Sequence, residues 1–331
     1  MHLQSLLLAS LAISFPVAFA PEGDTAARSA EAVPAGLLEL TYLANEGFLL
    51  RAGSHAVLID AFVAEPYSSY AGLSAEAAAA LLAGEAPFAS LDLALTSHAH
   101  PDHFQAAFAC EVLSAHAELP FVTTPDVVAK LLAHCPTLAS RVTALFPDEA
   151  AVHASEQAGI GIELLRLSHG TGRFRDVQNL GHAIDLDGLR VLHLGDADMS
   201  PGNFAPYRLG ERSFDVALVP YWYARHPSGK RFLANLRTRH LVLVHVPPDE
   251  VGVTRQYAAR HYPQATVFGA CLERRVFDCR DARAPEGSAA PADVRDTPPE
   301  TPPDRQPRGP RVGVPQQPGS GYHASAERRS P

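Results

Sequence analysis

Four side chains able to bind a metal fall within the run His98-Ala99-His100-Pro101-Asp102-His103. His98 and His100 stand two apart on backbone that reads as extended, so they project to the same side, whereas the adjacent Asp102 and His103 can turn toward a different centre. One loop could therefore feed two metal ions. Three later positions repeat the pattern of a donor at a strand end. His169 precedes Gly170-Thr171-Gly172, where glycine lets backbone approach closely. Gly195-Asp196 puts a carboxylate in the open beyond another strand, although an Asp there, taken alone, more often caps the following turn. His245 closes a further apolar run. Neutral imidazole and carboxylate are donors that zinc accepts, and they also suit manganese and iron.

The elements that must position these residues can be read from periodicity. Leu91 to Ser97 reads as a buried strand that delivers the His98 loop. Before it, the runs 38–43, 47–52 and 55–60, separated by Asn45-Glu46-Gly47 and Gly53-Ser54, predict an antiparallel meander. A helix over 74–82 follows from a Ser74 cap and the run Ala77 to Ala80, with Gly84 as its end. After the loop, helix 104–117, strand 120–124 and helix 125–134, opened by Pro125, give alternating strand and helix. Strands 142–146, 160–168, 179–185 and 189–194 come next, the last two joined across Asp187-Gly188, a two-residue hairpin signal. Strands 214–220 and 239–244, helix 248–261 and strand 265–268 complete the reading. No solenoid-type repeat is present, though two halves, each of strands with flanking helices, are visible.

A chain of 331 residues with 47% hydrophobic and 19% charged residues can bury a sizeable core. Its net charge of -9 provides no basic footprint for a polyanion, which makes nucleic acid a poor partner and a small-molecule substrate a better one. Residues 1–20 have the apolar run and Ala-x-Ala ending of a secretory signal, with two contrary features: no Lys or Arg at the amino end, and Pro21 directly after Ala20. No other stretch suggests a membrane span, and an exported protein, periplasmic or secreted, is expected. Residues 21–36 read as a linker, 37–281 as the folded domain, and 282–331 as a tail that cannot bury enough to fold, with eleven of the 28 prolines. None of the four cysteines lies in a Cys-x-x-Cys pair; a disulfide, if present, is expected between Cys271 and Cys279.

Taken in order, His98-Ala99-His100-Pro101-Asp102-His103, His169, Gly195-Asp196 and His245 resemble the metallo-β-lactamase superfamily, as do Asn45-Glu46-Gly47-Phe48 and Ile59-Asp60 in the opening meander. The likeness covers roughly residues 38–270. It implies a mixed α/β fold, an αββα four-layer sandwich of two mixed sheets with helices outside, and a dinuclear site at one edge. Carried over by position, His98, His100 and His169 would hold one divalent ion and Asp102, His103 and His245 a second, with Asp196 bridging; zinc is the expected metal, with manganese or iron as alternatives.

The resemblance implies a hydrolase in which a hydroxide between the two ions attacks a small ester, lactone or phosphodiester, with Asp102 as the catalytic residue that orients the nucleophile and moves its proton. Lactamases proper use a different second site and generally lack the bridging Asp, so Asp196 argues against antibiotic hydrolysis. Tyr221, Trp222 and Tyr223 follow a strand that should end at the same edge and are candidates for the substrate wall, or for packing beneath a loop. His193 reads as a packed histidine that supports a ligand rather than as one. Two other readings are a mononuclear iron enzyme of the persulfide dioxygenase type, against which the seven-residue donor set weighs, and a non-catalytic, metal-bound envelope scaffold.

Overall fold

The computed structural model describes residues 32–280 apart from Glu149; the leader expected at 1–20 and the tail expected at 282–331 lie outside the described residues. Strands β1 (Leu37–Ala44), β2 (Gly47–Ala52) and β3 (His55–Ile59) form the antiparallel meander, and β4 (Leu93–Leu95), β5 (Phe121–Thr123) and β6 (Val142–Ala144) extend it in parallel. The second sheet begins antiparallel, with β7 (Val152–Gln157), β8 (Ile160–Ser168), β9 (Gln178–Leu186) and β10 (Leu189–His193). It turns parallel through β11 (Ser213–Pro220), β12 (Arg237–Val244) and β13 (Ala265–Val267). β14 (Arg274–Asp278) then returns to the first sheet, antiparallel beside β1. Each sheet has seven strands.

Helices α1 (Ala75–Ala83), α2 (Ala106–Ala115) and α3 (Pro125–His134) cover the first sheet; α4 (Pro201–Phe204), α5 (Pro227–Asn235) and α6 (Val251–His261) cover the second. Strand alternation builds the layers. In β2 and β3, Phe48, Leu50, Val57 and Ile59 enter the core between the sheets, where they join Ile162, Leu164, Val191 and Val216. Leu49 and Leu58 face the other way, onto the helices. Burial on both faces explains why these strands read as nearly unbroken apolar runs, and a one-residue slip would exchange the two layers. The architecture is the expected αββα sandwich.

Some expectations fail for identifiable reasons. β7, Val-His-Ala-Ser-Glu-Gln, is an exposed edge strand with no apolar alternation to betray it, and its turn uses Ala158 and Gly159, both at positive φ (52° and 79°). β14 is charged, with only Phe277 buried. Pairing starts before Leu37, because buried Val33 bridges Gly53. The expected Cys271–Cys279 bond is absent: both thiols are free, and Cys110 of α2 is bonded instead to Cys135 at the end of α3. Sequence separation says little about pairing, whereas two packed helices bring Cα atoms 5.8 Å apart, within disulfide reach.

Candidate metal centre

Strand ends converge on one edge. β1 ends in Asn45-Glu46, β3 in Asp60, β4 in the Thr96–His103 loop, β8 in His169, β10 in Gly195-Asp196 and β12 in His245. Asp60, fully buried with φ 46°, organises the loop beside it. Its carboxylate accepts from the Ser97 amide and hydroxyl, each at 2.6 Å, and from His103 Nδ1 at 2.8 Å. That last bond fixes the His103 tautomer and leaves Nε2 facing the site.

All seven expected donors meet there. His98 Nε2 and His169 Nε2 lie 3.0 and 3.2 Å from His100 Nδ1. Tetrahedral zinc, at about 2.0–2.1 Å from nitrogen, places ligand nitrogens about 3.3 Å apart. His245 Nε2 lies 3.3 Å from Asp102 Oδ2, and His103 Nε2 lies 3.7 Å from the same oxygen. Asp196 stands between the groups. Its Oδ2 is 3.4 Å from His169 Nε2 and 3.9 Å from His98 Nε2, while Oδ1 is 3.2 Å from His245 Nε2 and 3.6 Å from His103 Nε2. One carboxylate thus offers an oxygen to each group. Asp196 Oδ1 and His245 Nε2 are buried without a hydrogen-bond partner of sound geometry, an arrangement costly in itself and suited to a cation.

The electrostatics divide along the same line. Burial, reinforced by neighbouring imidazoles, holds His98 well below its usual pKa and lowers His100. Burial also opposes charge on His103 and His245, yet nearby carboxylates outweigh it, Asp196 foremost, pushing His103 up to about 9 and His245 well above its usual value. Desolvation likewise opposes ionisation of Asp102 and Asp196, but the same histidines hold both carboxyls down.

Of the aromatic triplet, Trp222 packs edge-on against His245 with ring centroids 5.0 Å apart, and half-buried Tyr221 lies beside it. Tyr223 must be withdrawn from the substrate wall: it is 0% exposed, packs between Phe204 and Phe232, and donates its hydroxyl to Ala197 O at 2.6 Å. Its side chain belongs to the core under the Asp196 turn. Two other aromatics escaped sequence reasoning. Tyr70 meets His245 edge-on at 4.2 Å, and Phe174 stacks on His169 at 4.9 Å. Tyr70 sits on the connection between β3 and α1, and Phe174 ends the single 3-10 turn Gly172–Phe174. Asn45, whose amide donates to the Asp102 carbonyl and to Oδ2, was legible as a turn residue in a family-like run but not as a support for Asp102.

Comparison with known proteins agrees with this geometry. Residues 55–255 match the family model described as the Beta-lactamase superfamily domain. The metallo-beta-lactamase fold protein YhfI from Bacillus subtilis is 16% identical, with a TM-score of 0.51 over 73% of this chain and 99% of that one. Igni18, a metallo hydrolase from Ignicoccus hospitalis, is 19% identical (TM-score 0.49, covering 73% and 98%), and CmlA, a diiron beta-hydroxylase from Streptomyces venezuelae, 14% (0.45, covering 75% and 55%). With the family model matched over most of the folded domain, and the donors gathered at the edge where two mixed sheets meet, the chain belongs to the beta-lactamase superfamily and has its metallo-hydrolase fold.

Proposed function

We propose that the protein is a metal-dependent hydrolase of small esters, lactones or phosphodiesters, acting with two divalent cations, zinc by preference. His98, His100 and His169 would hold one ion, Asp102, His103 and His245 the other, and Asp196 both. The observation that carries this reading is Asp196, whose two oxygens face different donor groups. Bound cations supply Lewis acidity and lower the pKa of water toward neutrality.

The chain's own groups do the rest. Asp60 holds His103 Nε2 toward the site, and Asn45 steadies Asp102. Asp102, kept ionised beside His245 and His103, can accept a proton from an attacking water and return it to the leaving oxygen. Tyr70 and Trp222 on one side and Phe174 on the other give apolar surface for the remainder of the substrate. Export would suit the Cys110–Cys135 bond; among the described residues no helix is long and apolar enough to cross a membrane.

Elemental analysis of metal-replete protein, paired with a panel of chromogenic esters, lactones and phosphodiesters, tests the proposal. It predicts close to two ions per chain and turnover of at least one class. A reproducible single ion would remove the dinuclear reading, and iron with no hydrolysis would turn attention to oxygenase chemistry.

A further inference from the structure

Beneath the centre lies a second polar cluster, Glu46, Asp60 and His193, each 0% exposed, with donor atoms close enough together to hold a metal. Asp60 is already committed to Ser97 and His103. Glu46 is not: both carboxylate oxygens are buried without a hydrogen bond of sound geometry, and the ionisable atom beside them is His193 Nε2, 3.3 Å from Oε2. A third cation would require the His193 Nε2 lone pair. The other ring nitrogen decides against that. His193 Nδ1 accepts from the Gly195 amide at 3.2 Å, so in the neutral ring Nε2 carries the hydrogen, buried without a hydrogen bond of sound geometry and 3.3 Å from Glu46 Oε2. Burial depresses the His193 pKa, which keeps the ring neutral, while burial and then Asp196 raise that of Glu46.

What this chain of contacts reaches is the turn that presents the shared carboxylate. Gly195 adopts φ 53°, and a Cβ there would stand 2.5 Å from Asn179 Oδ1 and 2.8 Å from Ser97 Cβ. Asn179 braces the same turn, donating to Leu194 O and accepting from the Asp196 amide, both at 3.2 Å. We infer that Glu46 is a positioning residue: through the Nε2–H tautomer of His193 it fixes the Gly195 amide, and with it the direction in which Asp196 faces both cation groups. The β1–β2 turn then governs both acidic donors, Asp102 directly from Asn45 and Asp196 from Glu46 through His193. This rests on the metal-centre reading for its consequence, though not for its geometry.

Two measurements test it. Long-range ¹H–¹⁵N spectra of histidine-labelled wild type, with His193 assigned by its loss in His193→Gln, should report the Nε2–H tautomer; an Nδ1–H ring or an imidazolium at neutral pH overturns the inference. Zinc affinity by chelator competition should be within about threefold of wild type in Glu46→Gln, which keeps an acceptor, and at least about tenfold weaker in Glu46→Leu, which keeps bulk alone. Glu46→Leu that folds and binds zinc like wild type also overturns it. Should that variant not fold, or should wild type take up no zinc, the tautomer decides alone; the second case would count against the metal centre and not against the strut.

Discussion

His98 and His100 are held neutral, whereas His103 and His245, a few ångströms away across Asp196, are held as cations. The difference lies in their surroundings. Burial opposes charge on all four rings, and around the first two it is reinforced by imidazole neighbours, His169 among them. The other two are buried among Asp60, Asp102 and Asp196. His98 and His100 are therefore ready for a cation as they stand, while His103 and His245 already hold positive charge, as protons, that an ion must displace. Similar donors, differently surrounded, give one site that fills simply and one whose filling is coupled to pH.

Removing the residue that joins the two groups should have the largest effect. Asp196→Ala is expected to lower kcat by about 10³ or more, roughly 4 kcal/mol of barrier, with the circular dichroism spectrum unchanged and bound metal well below two per chain. Activity within about threefold of wild type would mean that the groups work independently, and a one-metal site with Asp102 and His103 as acid and base would be favoured.

Proton release sharpens the comparison further. At pH 7, titration calorimetry in buffers of different ionisation enthalpy should show about two protons released as the Asp102 group fills, one each from His103 and His245, and fewer from the three-histidine group. The second ion's affinity should then rise by up to about 100-fold per pH unit toward the His103 value near 9. Equal release at both steps would erase the distinction.

Stability of the metal-free protein carries the same signature. Because the folded pKa of His103 is raised, its contribution is fully present below the ordinary histidine value near 6.5 and is lost as pH rises through about 9. His98, depressed, works in the opposite direction: it costs stability as pH falls below 6.5. Asp60→Asn weakens the acceptor on which the His103 and Ser97 contacts converge, and should cost about 1–3 kcal/mol by denaturant unfolding of chelated protein. It should also flatten the decline in Tm between pH 6.5 and 9; an unaltered slope would place the raised His103 pKa elsewhere.

The donors were legible because chemistry needs particular residue types at strand ends, and the meander because burial on both faces leaves unbroken apolar runs. The supports were not. Asn45 reads as a turn residue and Asp60 as a strand end, both in runs that look like the family's, and nothing there shows that folding brings them against Asp102 and His103, 57 and 43 positions away in sequence. His193 was legible as a supporting histidine from its place inside a strand, but nothing local connects it with Glu46. Edge strands β7 and β14 escaped because an edge need not be apolar. The disulfide escaped because pairing depends on helix packing that no spacing encodes.

Trp222 and Tyr223 are adjacent in sequence and opposite in consequence, and they yield the smallest expected effects. Trp222 stands against His245 on the donor side, partly open to solvent. Trp222→Ala should leave metal content and kcat near wild type and raise KM by about fivefold, roughly 1 kcal/mol of uniform substrate binding. Phe174→Ala, beside His169, should do the same from the three-histidine side if the substrate spans both groups. Tyr223→Phe should leave KM alone and instead lower stability by about 1 kcal/mol, because the hydroxyl's bond to the Ala197 carbonyl is lost from a fully buried position. A KM shift in Tyr223→Phe with unchanged Tm would put that hydroxyl back in contact with substrate. A Phe174→Ala enzyme indistinguishable from wild type while Trp222→Ala is impaired would confine substrate binding to the Asp102 side, leaving the three-histidine group to act on the reacting bond alone.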